Sequence, residues 1–106
     1  MCMRDKFQNH PQWPELVNMV KKLSYLKGEN EEFTLASGRK SNHFFDMKPL
    51  MMDPHGANLL AELMSIYLDE LNPNFIGGLE LGAVPLTAIA ITGNANSEKG
   101  RKRKGF

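Results

Sequence analysis

Cysteine is almost absent: Cys2 stands alone in 106 residues, so no disulfide can close within the chain. That favours a reducing, cytoplasmic setting. No apolar run reaches the ~18 residues that a membrane-spanning helix needs. The opening MCMRDKFQNHPQW has no apolar core of the secretory kind. The expectation is therefore a soluble protein with no membrane partner. Metal-ligand spacing is also missing: His10, His43 and His55 pair neither with one another nor with Cys2. No nucleophile elbow, supported Cys/His pair, P-loop or dinucleotide fingerprint is present. The sequence thus points away from nucleophilic and protein-caged metal chemistry.

What remains has ordinary globular composition, with 42% hydrophobic and 24% charged residues, in a length that fits one domain with a modest core. The formal net charge of +1 hides an asymmetry. Lys99, Arg101, Lys102, Arg103 and Lys104 supply 5 of the 13 cations, leaving residues 1–98 with 8 cations against 12 acids, a net of −4. The end reads as a solvated basic tail. With an acidic body behind it, nucleic acid is not expected as a partner.

The periodicities imply an α/β order. Residues 1–12 read as irregular. Pro14 opens a helix whose stripe is Leu16, Val17, Val20, Leu23 and Leu26, with Gly28 as its stop. Phe33 to Ala36 and His43 to Met47 read as the arms of a β-hairpin around Ser37-Gly38-Arg39-Lys40. Asp53 and Pro54 start a second helix, carried by Leu59, Leu60, Leu63, Met64, Tyr67, Leu68 and Leu71 and ended at Asn72-Pro73. Phe75 to Leu79 reads as a buried strand, Glu80-Leu81-Gly82 as a turn, and Ala83 to Thr92 as a buried helix. Residues 93–105 read as loop or tail. Met47, Met51, Met52 and Met64 read as core filler. The organisation expected is a helix and β-hairpin over 1–52 and an α/β unit over 53–106 that ends in a basic loop or tail.

Two stretches can hold an anion. Gly77 to Gly82 joins a strand to a helix, where exposed amide groups suit phosphate. Glycines needed only for a tight turn explain the same letters, and Glu80 would repel phosphate, so a ribose hydroxyl, a metal-bound water or a nearby cation suits it better. In the hairpin, Arg39 can grip phosphate or carboxylate with two parallel bonds, Lys40 adds charge, and Ser37 and Ser41 add hydroxyls. Phe44 and Phe45 point to opposite faces of a strand, so one can pack inward while the other meets a ring-shaped ligand. A solvated turn over a packed Phe pair is the plainer reading.

FTLASGRKSNHFFDMKP, DPHGANLLAELMSIYLDEL and NFIGGLELGAVPLTAIAI together resemble the orotate phosphoribosyltransferases, a type I phosphoribosyltransferase family, over roughly residues 16–92. The resemblance implies a partial α/β fold: an N-terminal helix, a hood hairpin and the start of a mostly parallel sheet. It implies transfer of phosphoribosyl from phosphoribosyl pyrophosphate to orotate, giving orotidine 5′-monophosphate for pyrimidine synthesis, with Mg²⁺ and in a homodimer. On it, Ser37, Gly38, Arg39, Lys40, Phe44 and Phe45 surround orotate, and Glu80, Leu81 and Gly82 approach the pyrophosphate. Ala36 stands where many members have Lys, and Asn42 and His43 where many have Pro and Tyr. The family's later cationic loop and acidic phosphoribosyl motif have no counterpart among these residues. The chain is thus expected to correspond to the first half of such an enzyme and to be inactive alone. The alternative is a non-catalytic binding or dimerisation module of the same family.

Overall fold

Met3–Gln8 forms a short helix, α1, where irregular chain is expected. A ring contact between Phe7 and Tyr67, at 6.2 Å, and an ion pair from Lys6 Nζ to Glu70 Oε2, at 2.8 Å, hold it down. Long-range partners of this kind leave no local trace in sequence. The structure, a computed structural model, describes residues 3–28, 33–35, 37–79 and 81–106.

Trp13–Leu23 is α2, with Pro14 in its first turn and Leu16 buried. It stops earlier than its apolar stripe suggests. Ser24 is wholly buried; its N–H donates to Val20 O at 2.9 Å and its carbonyl accepts from Asp46 N at 2.8 Å. The second bond carries the chain into an extended strand, Tyr25–Lys27 (β1). Leu26 therefore belongs to a strand and not to the helix stripe.

The hairpin is shorter than its two apolar arms imply. Phe33–Thr34 (β2) pairs antiparallel with Lys40–Ser41 (β3), in the register Phe33↔Ser41 and Thr34↔Lys40. Ser41 Oγ then accepts from His43 N at 3.1 Å, which bends the chain. His43–Phe45 (β4) leaves the hairpin and pairs antiparallel with β1, matching Tyr25↔Phe45, Leu26↔Phe44 and Lys27↔His43.

Lys48–Met51 is α3, and Pro54–Leu71 is the 18-residue α4. Asp53 caps α4 as expected, its Oδ2 accepting from Gly56 N at 2.9 Å. Asn72 ends it in the left-handed region at φ 48°. Leu59, Leu63 and Leu68 are buried on α4, and Leu59 and Leu63 join Leu16 and Leu50 in the core. Met51 is buried and Met47 packs against that cluster, but Met52 is 75% exposed and fills no core.

Phe75–Ile76 (β5) is followed by Ala83–Thr92 (α5), Glu98–Arg101 (α6) and Lys104–Gly105 (β6). β5 and β6 are parallel, with Phe75 opposite Lys104 and Ile76 opposite Gly105. Two expectations fail here. Phe75 is largely exposed and Leu79 almost fully so, and Ala90 is the buried residue of α5. The sheet is two strands wide, so β5 lacks the cover that a wider parallel sheet would give it. The basic stretch is not an irregular tail: it forms α6 and β6 and buries Arg103, while Lys99, Arg101, Lys102 and Lys104 are exposed as expected.

Candidate functional site

Gly38 makes the hairpin turn possible. Its φ of 85° lies where side chains with a Cβ are strained. Its N–H donates to Leu35 O at 2.9 Å, and Leu35 N donates to Arg39 O at 2.8 Å, so the turn closes on its own backbone. That leaves the side chains of Ser37, Arg39 and Lys40 facing solvent. Arg39 makes no ion pair among the described residues. Its guanidinium thus keeps its full set of donors for an anion.

The Phe pair is divided between two faces. Phe44 meets Phe33 at 5.7 Å between ring centroids, which ties it to the hairpin that carries the cationic turn. Phe45 meets Tyr25 at 5.1 Å on the opposite face. Tyr25 also stacks on His43, at 5.8 Å and 15°, and the Tyr25 hydroxyl hydrogen-bonds His43 Nδ1. Alternation along β4 fixes this division, and the pairing with β1 decides which neighbours each ring meets.

The second candidate turn follows β5. A Cβ at Gly77 would sit 2.6 Å from the Phe106 ring, and one at Gly78 would sit 2.6 Å from Ala83 Cβ. Close packing thus requires Gly78, whereas at Gly77 the exposed Phe106 side chain can swing aside. Gly82 differs, with nothing within 4 Å of a Cβ placed there. It stands at the start of α5 with no side-chain cap, but Val84 N donates to Leu81 O at 3.1 Å and Pro85 has no N–H, so the first turn offers few amide groups to an anion. Leu81 is exposed. Glu80 lies outside the described residues. No hydrogen bond, ion pair or ring contact between described residues joins this turn to the hairpin turn. Among the described residues no three His, Cys, Asp or Glu side chains converge to hold a metal ion. No helix there is long and apolar enough to cross a membrane.

Two features escape a reading of the sequence. One is a cavity between α2 and the β1–β4 pair, lined by Trp13, Val20, Tyr25 and Phe45 among others. No local pattern in Ser24-Tyr25-Leu26-Lys27 marks it, because its second wall depends on the pairing of β1 with the distant β4. The other is the burial of Arg103, whose letters differ in no way from those of its exposed neighbours.

No family model matches the chain. An orotate phosphoribosyltransferase of Bradyrhizobium diazoefficiens is 54% identical over 71 residues, which is 67% of this chain and 36% of that protein. Another from Rhodopseudomonas palustris is 54% identical over 76 residues, 71% of this chain and 39% of the relative. The chain is a partial homologue of orotate phosphoribosyltransferase. A crystal structure of the Mycobacterium tuberculosis orotate phosphoribosyltransferase in complex with inorganic phosphate superposes with a TM-score of 0.62 at 28% identity, over 77% of this chain and 47% of that one. The mixed helix and strand arrangement, with its parallel β5–β6 pair, is accordingly a partial phosphoribosyltransferase fold. The chain spans less than half the length of these orotate phosphoribosyltransferases.

Proposed function

We propose that this chain supplies the orotate-facing hood and the first anion turn of an orotate phosphoribosyltransferase. The enzyme joins orotate to phosphoribosyl pyrophosphate and releases orotidine 5′-monophosphate and pyrophosphate. The observation that carries the reading is the solvent-facing Ser37-Gly38-Arg39-Lys40 turn, tied through Phe33 to Phe44, in a chain 54% identical over 71 residues to an orotate phosphoribosyltransferase. In this reading Arg39 and Lys40 neutralise the orotate carboxylate, with Ser37 as a hydroxyl donor. Phe44 walls the pyrimidine ring, and Phe45 stiffens the strand behind it. The amide groups around Leu81 and Gly82 receive pyrophosphate oxygens, and Glu80 takes a ribose hydroxyl. Preorganised donors of this kind stabilise charge where it develops. Mg²⁺ would supply charge neutralisation to the pyrophosphate, and among the described residues no three His, Cys, Asp or Glu side chains converge to hold it. A homodimer and a cytoplasmic location complete the proposal.

The test is a chimera in which residues 16–92 replace the matching segment of the R. palustris relative. Formation of orotidine 5′-monophosphate from orotate, phosphoribosyl pyrophosphate and Mg²⁺ is the expected result. A folded chimera that consumes no orotate would sink the reading and leave a binding or dimerisation module as the better account. The 106-residue chain assayed alone is expected to show no turnover.

A further inference from the structure

On the face of β4 turned away from Phe44 lies a cavity of about 790 Å³. That volume falls in the ~300–1,000 Å³ range of small-molecule sites. Trp13, Leu16, Val17 and Val20 of α2 form one wall, and Tyr25 and Phe45 form the other. The Tyr25 hydroxyl and His43 Nδ1 bond each other, which leaves His43 Nε2 as the remaining side-chain polar atom of that wall. One charge borders the space. Lys21 lines the cavity, is exposed, and makes no ion pair among the described residues. A lysine so placed lays its alkyl stem along the apolar wall and keeps its ammonium in water at the rim.

These features select a ligand. A polar ring such as a pyrimidine would give up several bonds to water and find at most His43 Nε2 and the Lys21 ammonium in return. A neutral hydrocarbon would leave the rim charge unused. A body of hydrocarbon ending in one carboxylate satisfies both the walls and the rim. We propose that this cavity is a second binding site, for a hydrophobic monocarboxylate whose apolar body lies against Trp13, Val20, Tyr25 and Phe45 and whose carboxylate pairs with Lys21. The site lies across β4 from the face given to orotate, and the proposal does not rest on the orotate reading.

Trp13 is the only tryptophan in the sequence, so its fluorescence reports directly on this cavity. The experiment titrates the 106-residue chain with decanoate below its micelle concentration, with decanol as the neutral control. A saturable change at one decanoate per chain is expected, with decanol binding about tenfold more weakly. Lys21→Glu should lower decanoate affinity by at least about tenfold and leave decanol unchanged. The decanoate–decanol difference in the unsubstituted chain reads the same charge without any variant. The proposal is overturned by the lack of a saturable change, by equal affinities for the two probes, or by full decanoate affinity in folded Lys21→Glu. It is equally overturned by a Trp13 signal that follows protein concentration alone, which would put a second copy of the chain in the cavity.

Discussion

Two stretches of this chain are dense in cations, and the fold treats them in opposite ways. Around Ser37 to Lys40 the charged side chains face solvent above a turn that closes on its own backbone. Between Ser97 and Lys104, Arg103 turns inward and is 4% exposed. Its Nε donates to Pro73 O at 3.1 Å, and its Nη2 to Leu68 O at 3.2 Å and Asn72 Oδ1 at 3.1 Å. Asp69 Oδ1 lies 3.9 Å from Nη1, too far for a hydrogen bond and largely exposed, so neutral acceptors do most of the holding. The last carbonyls of any α-helix lack partners inside the helix. At the end of α4, Leu68 O already accepts from Asn72 N at 2.7 Å, and Arg103 adds a second bond to that carbonyl while also holding Pro73 O and Asn72 Oδ1 just beyond it. Arg39, by contrast, is exposed and makes no ion pair among the described residues. A cation's fate is decided by the acceptors that the fold presents to it and not by the charge density of its own segment.

The sharpest way to break this contrast is Arg103→Ala. It removes three hydrogen bonds from buried or half-buried acceptors and leaves a hole behind the guanidinium. A loss of about 3 kcal/mol in unfolding free energy is expected, read from urea denaturation midpoints. Lys102→Ala is the matched control. Lys102 is exposed and its nearest acid, Glu98, is 4.0 Å away, so a change within about 0.5 kcal/mol is expected. Similar losses for the two variants would show that the C-terminal stretch is not anchored by Arg103.

Arg39→Ala probes the other side of the comparison. Arg39 is exposed and makes no ion pair among the described residues, so stability should move by less than about 0.5 kcal/mol. In the chimera described above, orotate affinity should fall about tenfold to a hundredfold, the worth of one charge-assisted contact. Arg39→Lys keeps the charge but loses the two-pronged geometry, so it should recover only part of the affinity. Isothermal titration set beside thermal melts separates the two effects. Matched losses in both would make Arg39 a structural residue.

These contrasts mark what sequence could and could not say. Helix α4 was legible because its signals are local: Asp53 and Pro54 at one end, Asn72-Pro73 at the other, and a leucine face between. The hairpin turn was legible because Gly38 is a residue that tolerates φ 85°. The opposite facing of Phe44 and Phe45 followed from alternation alone. Which neighbours each ring meets did not follow, because β1 is distant in sequence and reads as the tail of a helix. The same limit applies to α1, held by Tyr67 and Glu70. The exposure of Phe75 and Leu79 was hidden for a different reason: an apolar strand reads as buried whether or not the sheet widens enough to cover it.

The smallest effect compares two serines near short charged stretches, Ser97 directly before Glu98-Lys99 and Ser37 two residues before Arg39-Lys40. Ser97 Oγ accepts from Gly100 N at 2.9 Å and caps α6, the element that delivers Arg103 to its pocket. Its Oγ–H also donates to Asn94 O at 3.0 Å, which fixes the entry into that helix. Ser37 Oγ lies 3.5 Å from Arg39 N, beyond the usual range for such a bond. Ser97→Ala should therefore lower stability by about 1 kcal/mol, the ordinary worth of a cap. Ser37→Ala should leave stability within about 0.5 kcal/mol of the parent. Amide exchange at Gly100 gives a second reading of the cap, since its N–H loses its acceptor only in the Ser97 variant. If the two variants unfold at the same urea concentration, α6 is not held by its cap, and the inward turn of Arg103 stands on its own contacts alone.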